Sequence, residues 1–245
     1  MKIALDAMGH DEGPPKLIEG VALALKEQPD IRRFFLTGDA PRLEAELQRI
    51  GCNDGRIEIV HCTQVVEMGD SAIDAVRRKR DSSISRAVDL VKSGEAEAVV
   101  SAGHTGAAVA ATTIKLRTLP GIERPGIAAT MPTETNLFVL IDAGANTAPT
   151  PLQMLHNAIM GTVYSRHVLG YAEPTVGLMS IGTEDEKGND FTRESFELLR
   201  HSGLKFRGNI EGHDLFENPV EVVVADGFTG NVVLKTSEAI AHAVF

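Results

Sequence analysis

The stretch EVVVADGFTGNVVLKT, residues 221–236, decides how the rest of the chain is read. The β-branched run Val222-Val223-Val224 reads as a buried strand, and it breaks at Asp226-Gly227-Phe228-Thr229-Gly230. Helical spacing resumes at Asn231, so the break reads as a strand-to-helix turn. Glycines at such a turn allow positive φ and a close approach of backbone to a ligand. The unpaired N–H groups of the following helix make a seat for an anion.

The same order of elements occurs at residues 99–107, where Val99-Val100-Ser101-Ala102 leads into Gly103-His104-Thr105-Gly106 and a small-residue helix. One turn of this kind carries little information, because glycine after a strand is common in α/β proteins. Two turns with matching G-x-T-G offsets point to ligand binding. The competing reading is that both are tight turns made for packing.

Working outward, strands are expected at residues 2–7, 34–36, 57–60, 98–100, 137–141 and 176–181, alternating with helices. Pro14, Pro41 and Pro151 mark helix starts, as proline does at a first helical turn. In the helix from Pro151, Leu152, Leu155, Ile159 and Val163 fall on one expected core face. Residues 117–132 read as irregular. The pattern predicts an α/β fold with a mostly parallel sheet covered by helices on both faces. A single α/β domain over residues 1–245 is expected.

Five of the strands end in glycine with polar residues, at 6–11, 101–106, 142–146, 182–189 and 226–231. In one parallel sheet these ends line one edge, the edge where open α/β folds bind ligands. The other strand ends lack such clusters. The expected site is rich in backbone N–H, amide, hydroxyl and carboxylate groups, with one lysine, Lys187.

The totals narrow the function. Hydrophobic content of 43% with 24% charged residues is that of an ordinary water-soluble globular protein. A net charge of −10 and an aromatic content of 4% without tryptophan argue against nucleic acid as a partner. Cys52 and Cys62 make no metal or redox spacing, and the N-terminus reaches Asp6 too early for a signal peptide, so a cytoplasmic protein is expected. No Walker loop, dinucleotide fingerprint, serine elbow or H-E-x-x-H motif occurs, so no cofactor and no metal are indicated.

At these same residues the chain resembles the bacterial phosphate acyltransferase (PlsX) family. The matching stretches are LDAMG-x-D-x-GP from Leu5, AVRRKRDSS from Ala75, SAG-x-TGA from Ser101 and GIERP from Gly121. DAGAN from Asp142, AIMG from Ala158, GTEDEKGN from Gly182 and DGFTGN from Asp226 continue the match to the end of the chain. The resemblance implies a three-layer α/β/α sandwich related to phosphotransacetylases and isopropylmalate-type dehydrogenases. It implies acyl transfer from acyl-acyl-carrier protein to inorganic phosphate for phospholipid synthesis, a homodimer and peripheral membrane contact. The chain departs from the family at His10, where glycine is usual, and at His104, where asparagine is usual. It is also expected to lack the family's C-terminal extension.

Direct attack of phosphate on the thioester is the expected mechanism. Lys187 is expected to bind phosphate and offset developing charge, and Asn231 to act as a neutral donor. Their alternatives are a solvated loop lysine and a helix-capping asparagine. Asp6, Met8, Gly9, Asp11, Gly103, His104, Thr105, Gly106, Asp142, Asn146, Thr183, Thr229 and Gly230 complete the expected phosphate and substrate site. The aspartates among them suit orientation of Lys187 or turn capping better than phosphate contact, and turn hydroxyls often bond only their own backbone. Arg77, Arg78, Lys79 and Arg80 are the dense basic run, suited to steering an acidic carrier protein; a solvated helix end is the other reading. Three alternatives for the whole chain stand beside this: a phosphotransacetylase-like enzyme using acyl-CoA, a non-catalytic protein that binds acyl chains or acyl-carrier protein, and a metal-dependent dehydrogenase, weakened by the missing cluster of acidic metal ligands.

Overall fold

The computed structural model describes residues 1–10, 12–217 and 220–244. By its contacts the chain divides into two compact units, Met1–Arg117 and Thr118–Phe245.

The first unit is built on β1 (Lys2–Asp6), α1 (Pro14–Glu27), β2 (Arg33–Gly38), α2 (Ala40–Arg49) and β3 (Ile57–His61). It continues through α3 (Ala72–Arg78), α4 (Ser83–Lys92), β4 (Ala98–Ser101) and α5 (Thr105–Leu116). The sheet runs β3-β2-β1-β4 with every pairing parallel. Alternation sorts the side chains by face. Leu5, Phe34 and Leu36 join Ile18, Val21, Leu25 and Leu43 from α1 and α2, whereas Ala4 and Phe35 meet Ala87 and Leu90 of α4. Helices therefore cover both faces, as expected.

The second unit holds β5 (Ala128–Pro132), β6 (Leu137–Ile141), α6 (Pro151–His167), β7 (Val176–Met179) and α7 (Asp190–Arg200). It ends with β8 (Phe206–Ile210), β9 (Val222–Val224) and α8 (Gly227–Val244). Its sheet runs β5-β6-β9-β7-β8, parallel except for the β5–β6 pair. Val139, Ile141, Val176, Leu178, Val222 and Val224 face α6 and α7, and Phe138, Leu140, Val223 and Ile210 face the other way with Val233 and Leu234 of α8.

Several expectations need correction. The five polar strand ends lie on two sheet edges, not one: those after β1 and β4 in the first unit, those after β6, β7 and β9 in the second. The cause is β5, an antiparallel strand inside the stretch read as irregular, which pairs with β6 to begin a second sheet. Of the expected core face of α6 only Leu155 packs against the core, since Leu152, Ile159 and Val163 are exposed. Small residues replace it: Ala158, Gly161, Thr162 and Ser165 are buried. A Cβ on Gly161 would stand 2.7 Å from Val222 Cγ1, so the helix sits closer to the sheet than leucines would permit. Finally, α8 begins at Gly227, four residues before Asn231.

Candidate active site

The carboxyl edge of the first sheet is organised by Asp6, which is 4% exposed. Its carboxylate accepts the Ser101 hydroxyl at 2.8 Å and, more distantly, the Met8 N–H at 3.4 Å. Ser101 Oγ in turn accepts the Gly103 N–H at 3.3 Å. Two neighbouring parallel strands are thereby tied at their tips. Gly9 and Gly103 meet between them: a Cβ on Gly103 would lie 2.7 Å from the Gly9 Cα and carbonyl oxygen. Met8 packs over Gly38, at the end of the neighbouring strand β2, as part of the apolar cluster there. Asp11 lies outside the described residues.

His104 closes the start of α5. Its Nδ1 accepts the Ala107 N–H at 3.2 Å, which places the ring proton on Nε2, 3.1 Å from the Asp70 carbonyl oxygen. Histidine here does the capping work that an asparagine oxygen does at other helix starts. Both ring nitrogens are engaged. Thr105 and Gly106 are exposed at the first turn of the helix.

On the second sheet Asp142 is 1% exposed. One carboxylate oxygen accepts the N–H groups of Ile127, Gly144 and Ala145 at 2.8–3.0 Å, and the other accepts that of Asn146 at 2.7 Å. With four backbone N–H groups on its carboxylate and almost no exposure, Asp142 shapes the turn. Asn146 extends the turn, donating from Nδ2 to Gln153 Oε1 at 2.9 Å.

The start of α8 is pressed against this turn. Gly227 N–H donates to the Asn146 carbonyl at 2.9 Å, and a Cβ on Gly227 would come within 2.6 Å of that oxygen. On Gly230 it would come within 1.9 Å of the Asp142 carbonyl oxygen. Neither these glycines nor Gly103 and Gly106 have positive φ, contrary to the expectation. Gly103, Gly227 and Gly230 are glycine because two stretches of backbone touch, whereas Gly106 lies against the side chains of His104 and Ala72. The close approach predicted for a ligand is made by the protein itself.

Asp226 caps α8, accepting the N–H groups of Phe228 and Thr229 at 2.9 Å and the Thr229 hydroxyl at 2.7 Å. Thr229 thus bonds locally. Asn231 follows one turn into the helix, exposed, with its amide over Gly144.

Lys187 sits in the loop after β7, its stem across Gly182 and its side chain 48% exposed. Glu184 is its ionic neighbour, at 3.8 Å. Thr183 is exposed beside it. Because β7 pairs with β9 and β9 with β6, in parallel, the loops carrying Lys187, Asn231 and Asn146 leave one sheet edge from adjacent strands. That edge offers one ammonium and the exposed Asn231 carboxamide; the N–H groups of Gly227, Phe228, Thr229 and Gly230 that open α8 are taken by the Asn146 carbonyl and by Asp226, so the anion seat expected there is filled by the protein.

The basic run is divided. Lys79 donates to the Asp70 carboxylate and to the Val65 carbonyl at 2.8 Å, and its pairing holds the Asp70 carboxyl below the usual range. Arg77, Arg78 and Arg80 are exposed. No helix among the described residues is long and apolar enough to cross a membrane.

Comparison with known proteins agrees with this geometry. Residues 1–245 match the family described as "Fatty acid synthesis protein". A phosphate acyltransferase of Akkermansia muciniphila is 49% identical, over 99% of this chain and 71% of its own length. One from Geobacter sulfurreducens is 48% identical, over 100% and 70%. Among solved structures, a phosphotransacetylase from Streptococcus pyogenes superposes with a TM-score of 0.72 at 19% identity, over 99% of this chain and 82% of that one. The EutD phosphotransacetylase of Staphylococcus aureus follows at 0.69 and 16%, with the same coverage. The distant structures share the fold, and the near relatives match over essentially the whole of this chain. The chain belongs to the phosphate acyltransferase family.

Proposed function

We propose that the protein transfers a fatty acyl group from the thioester of acyl-acyl-carrier protein to inorganic phosphate, releasing acyl phosphate and the free carrier thiol. The observation that carries the reading is that the loop bearing Lys187 and the helix bearing Asn231 leave one sheet edge after adjacent parallel strands, in a chain nearly half identical to phosphate acyltransferases.

A phosphate oxygen attacks the thioester carbonyl, the carbonyl becomes an oxyanion, and its collapse expels the thiolate, which takes up a proton. Phosphate needs little activation, because its second ionisation falls near neutrality, where a large fraction is already the dianion. Lys187 binds it and offsets charge as the oxyanion forms, and Asn231 adds a neutral donor. A preorganised donor of this kind is worth about 2.7–4 kcal/mol. Thr105, Gly106 and the N–H groups opening α5 are assigned to substrate binding on the first unit. Cys62 is unsuited to carry an acyl-enzyme: burial first, then the charge of Asp81, pushes its thiol up to about 11, which leaves little thiolate.

Arg77, Arg78 and Arg80 are assigned to steering of the acidic carrier, with Lys79 serving to fix their helix. A cytoplasmic homodimer with peripheral membrane contact completes the proposal. The test is product analysis by mass spectrometry with labelled phosphate, offering acyl-carrier protein and acyl-CoA in parallel. Labelled acyl phosphate from the carrier thioester supports the reading. Turnover of acyl-CoA alone replaces it with the phosphotransacetylase-like alternative, and product from neither substrate overturns catalysis.

A further inference from the structure

Beyond the Ser180 N–H donated to the Ile210 carbonyl at 2.9 Å, which continues the β7–β8 pairing, one buried side-chain contact ties the loop that carries Lys187 to the sheet among the described residues. Lys187 N–H donates to the Glu184 carbonyl at 3.0 Å, closing a turn over residues 184–187. The same carbonyl oxygen accepts Asn209 Nδ2 at 2.7 Å. Asn209 lies on β8 in register with Leu178 of β7, so its side chain shares the apolar face that Leu178 and Phe196 build beneath α7. It is 9% exposed.

An amide on such a face costs desolvation unless its hydrogen bonds are made. Here its oxygen is buried without a partner among the described residues, so only the Nδ2 contact offsets that cost. The other ties on the loop are at the surface. Asp185 pairs with Arg200 at 3.2 Å through half-exposed side chains, and Arg193 donates to the Gly188 carbonyl at 3.3 Å. Exposed contacts of this kind hold a loop weakly.

We infer that Asn209 is a positioning residue: by holding the Glu184 carbonyl, it fixes the turn that presents Lys187 at the sheet edge. The inference rests on the assignment of Lys187 to phosphate. A small displacement of a substrate-binding group from a remote change is enough to lower turnover strongly.

The experiment is a double-mutant cycle of Asn209→Leu and Lys187→Ala, read as phosphate-dependent release of carrier thiol at varied phosphate. Asn209→Leu keeps the side-chain volume and removes the donor. It should raise the KM for phosphate and lower kcat/KM about tenfold, within what one buried hydrogen bond can supply. In the Lys187→Ala background it should lower kcat/KM no further, which a residue needed only for packing would not do. Wild-type kinetics in Asn209→Leu, or a full further loss in the double variant, overturns the inference and leaves the function of Lys187 intact. Wild-type turnover in Lys187→Ala overturns both. If circular dichroism shows that Asn209→Leu does not fold, Asn209→Ser, whose hydroxyl is too short to reach the carbonyl, replaces it in the same cycle.

Discussion

The two sheet edges solve one construction problem with different chemistry. Each must hold neighbouring strand tips close together, and each does so with an aspartate and with glycines that let backbone meet backbone. On the first edge Asp6 reaches a side chain, Ser101, and Gly103 lies against Gly9. On the second edge Asp142 accepts four backbone N–H groups and Gly230 lies against the Asp142 carbonyl. The difference is in what remains free. The polar tips of the first edge carry no lysine or arginine, and both their histidines accept backbone N–H groups, His10 from Glu12 and His104 from Ala107, whereas the second edge keeps Lys187 and Asn231 unburied. Two turns that look alike in sequence are alike as scaffold and unlike as chemistry.

Gly230→Ala should break the second edge most severely. The added methyl would stand 1.9 Å from a backbone oxygen, and neither partner is a side chain that could swing aside. Overpacking of this kind costs about 3 kcal/mol. Gly103→Ala, at 2.7 Å from Gly9, should cost less, nearer 1–2 kcal/mol within the same range. Thermal melts of the two variants give the order directly, and a Gly230→Ala protein as stable as wild type would remove the backbone contact as the reason for glycine.

Lys187→Ala should separate chemistry from scaffold. The side chain is half exposed and its ionic neighbour is 3.8 Å away, so melting should not change measurably. Turnover should fall about 10²–10³-fold, the loss of one charge-stabilising donor. A comparable loss from Thr105→Ala would place equal chemical weight on the first edge, and the contrast between the edges would fail.

Much of this was legible beforehand because it rests on short-range rules. Val222-Val223-Val224 is a central strand, and the prolines at 14, 41 and 151 do open helices. The polar tips were legible as tips. What could not be read was partnership. Nothing local to Ala128–Pro132 announces an antiparallel strand, since the pairing with β6 is what makes it one. The outward face of α6 misled for the same reason: Leu152, Ile159 and Val163 have the spacing of a core, while Gly161 decides which side approaches the sheet. Asn209 gave a faint signal, an amide within a strand, but its meaning depends on a carbonyl 25 residues away in the chain.

Asp142→Asn and Asp6→Asn sharpen the comparison at the level of single atoms. An amide at position 142 turns an NH2 group toward backbone donors that had faced a carboxylate oxygen. Hydrogen bonds to charged groups contribute about 1.5–3 kcal/mol each, so Asp142→Asn should lose at least that much. At position 6 the Ser101 hydroxyl can rotate to accept instead, and about 1 kcal/mol or less should be lost. Equal losses in urea titrations would show that the backbone donors make no difference between the edges.

The smallest effect concerns acid. In the first unit Asp54 is held down to about 2, chiefly by its hydrogen bond to the Arg56 guanidinium. Asp70 and Asp81 are also lowered, Asp70 first by the Lys79 hydrogen bond and Asp81 first by the Thr63 hydroxyl. A carboxyl whose folded pKa is depressed adds stability above its unfolded value, near 3.9, and that stability is lost as pH falls through the folded value. The pairs are solvent-exposed, so each contribution is small. Stability should therefore be flat from neutrality to about pH 4 with respect to these groups and decline between about 4 and 2. Arg56→Gln should remove the part of that decline belonging to Asp54, and Lys79→Gln the part belonging to Asp70. An acid slope unchanged in both variants, followed by tryptophan-free far-ultraviolet circular dichroism, would mean that the acid sensitivity lies elsewhere than in the paired carboxylates of the first unit.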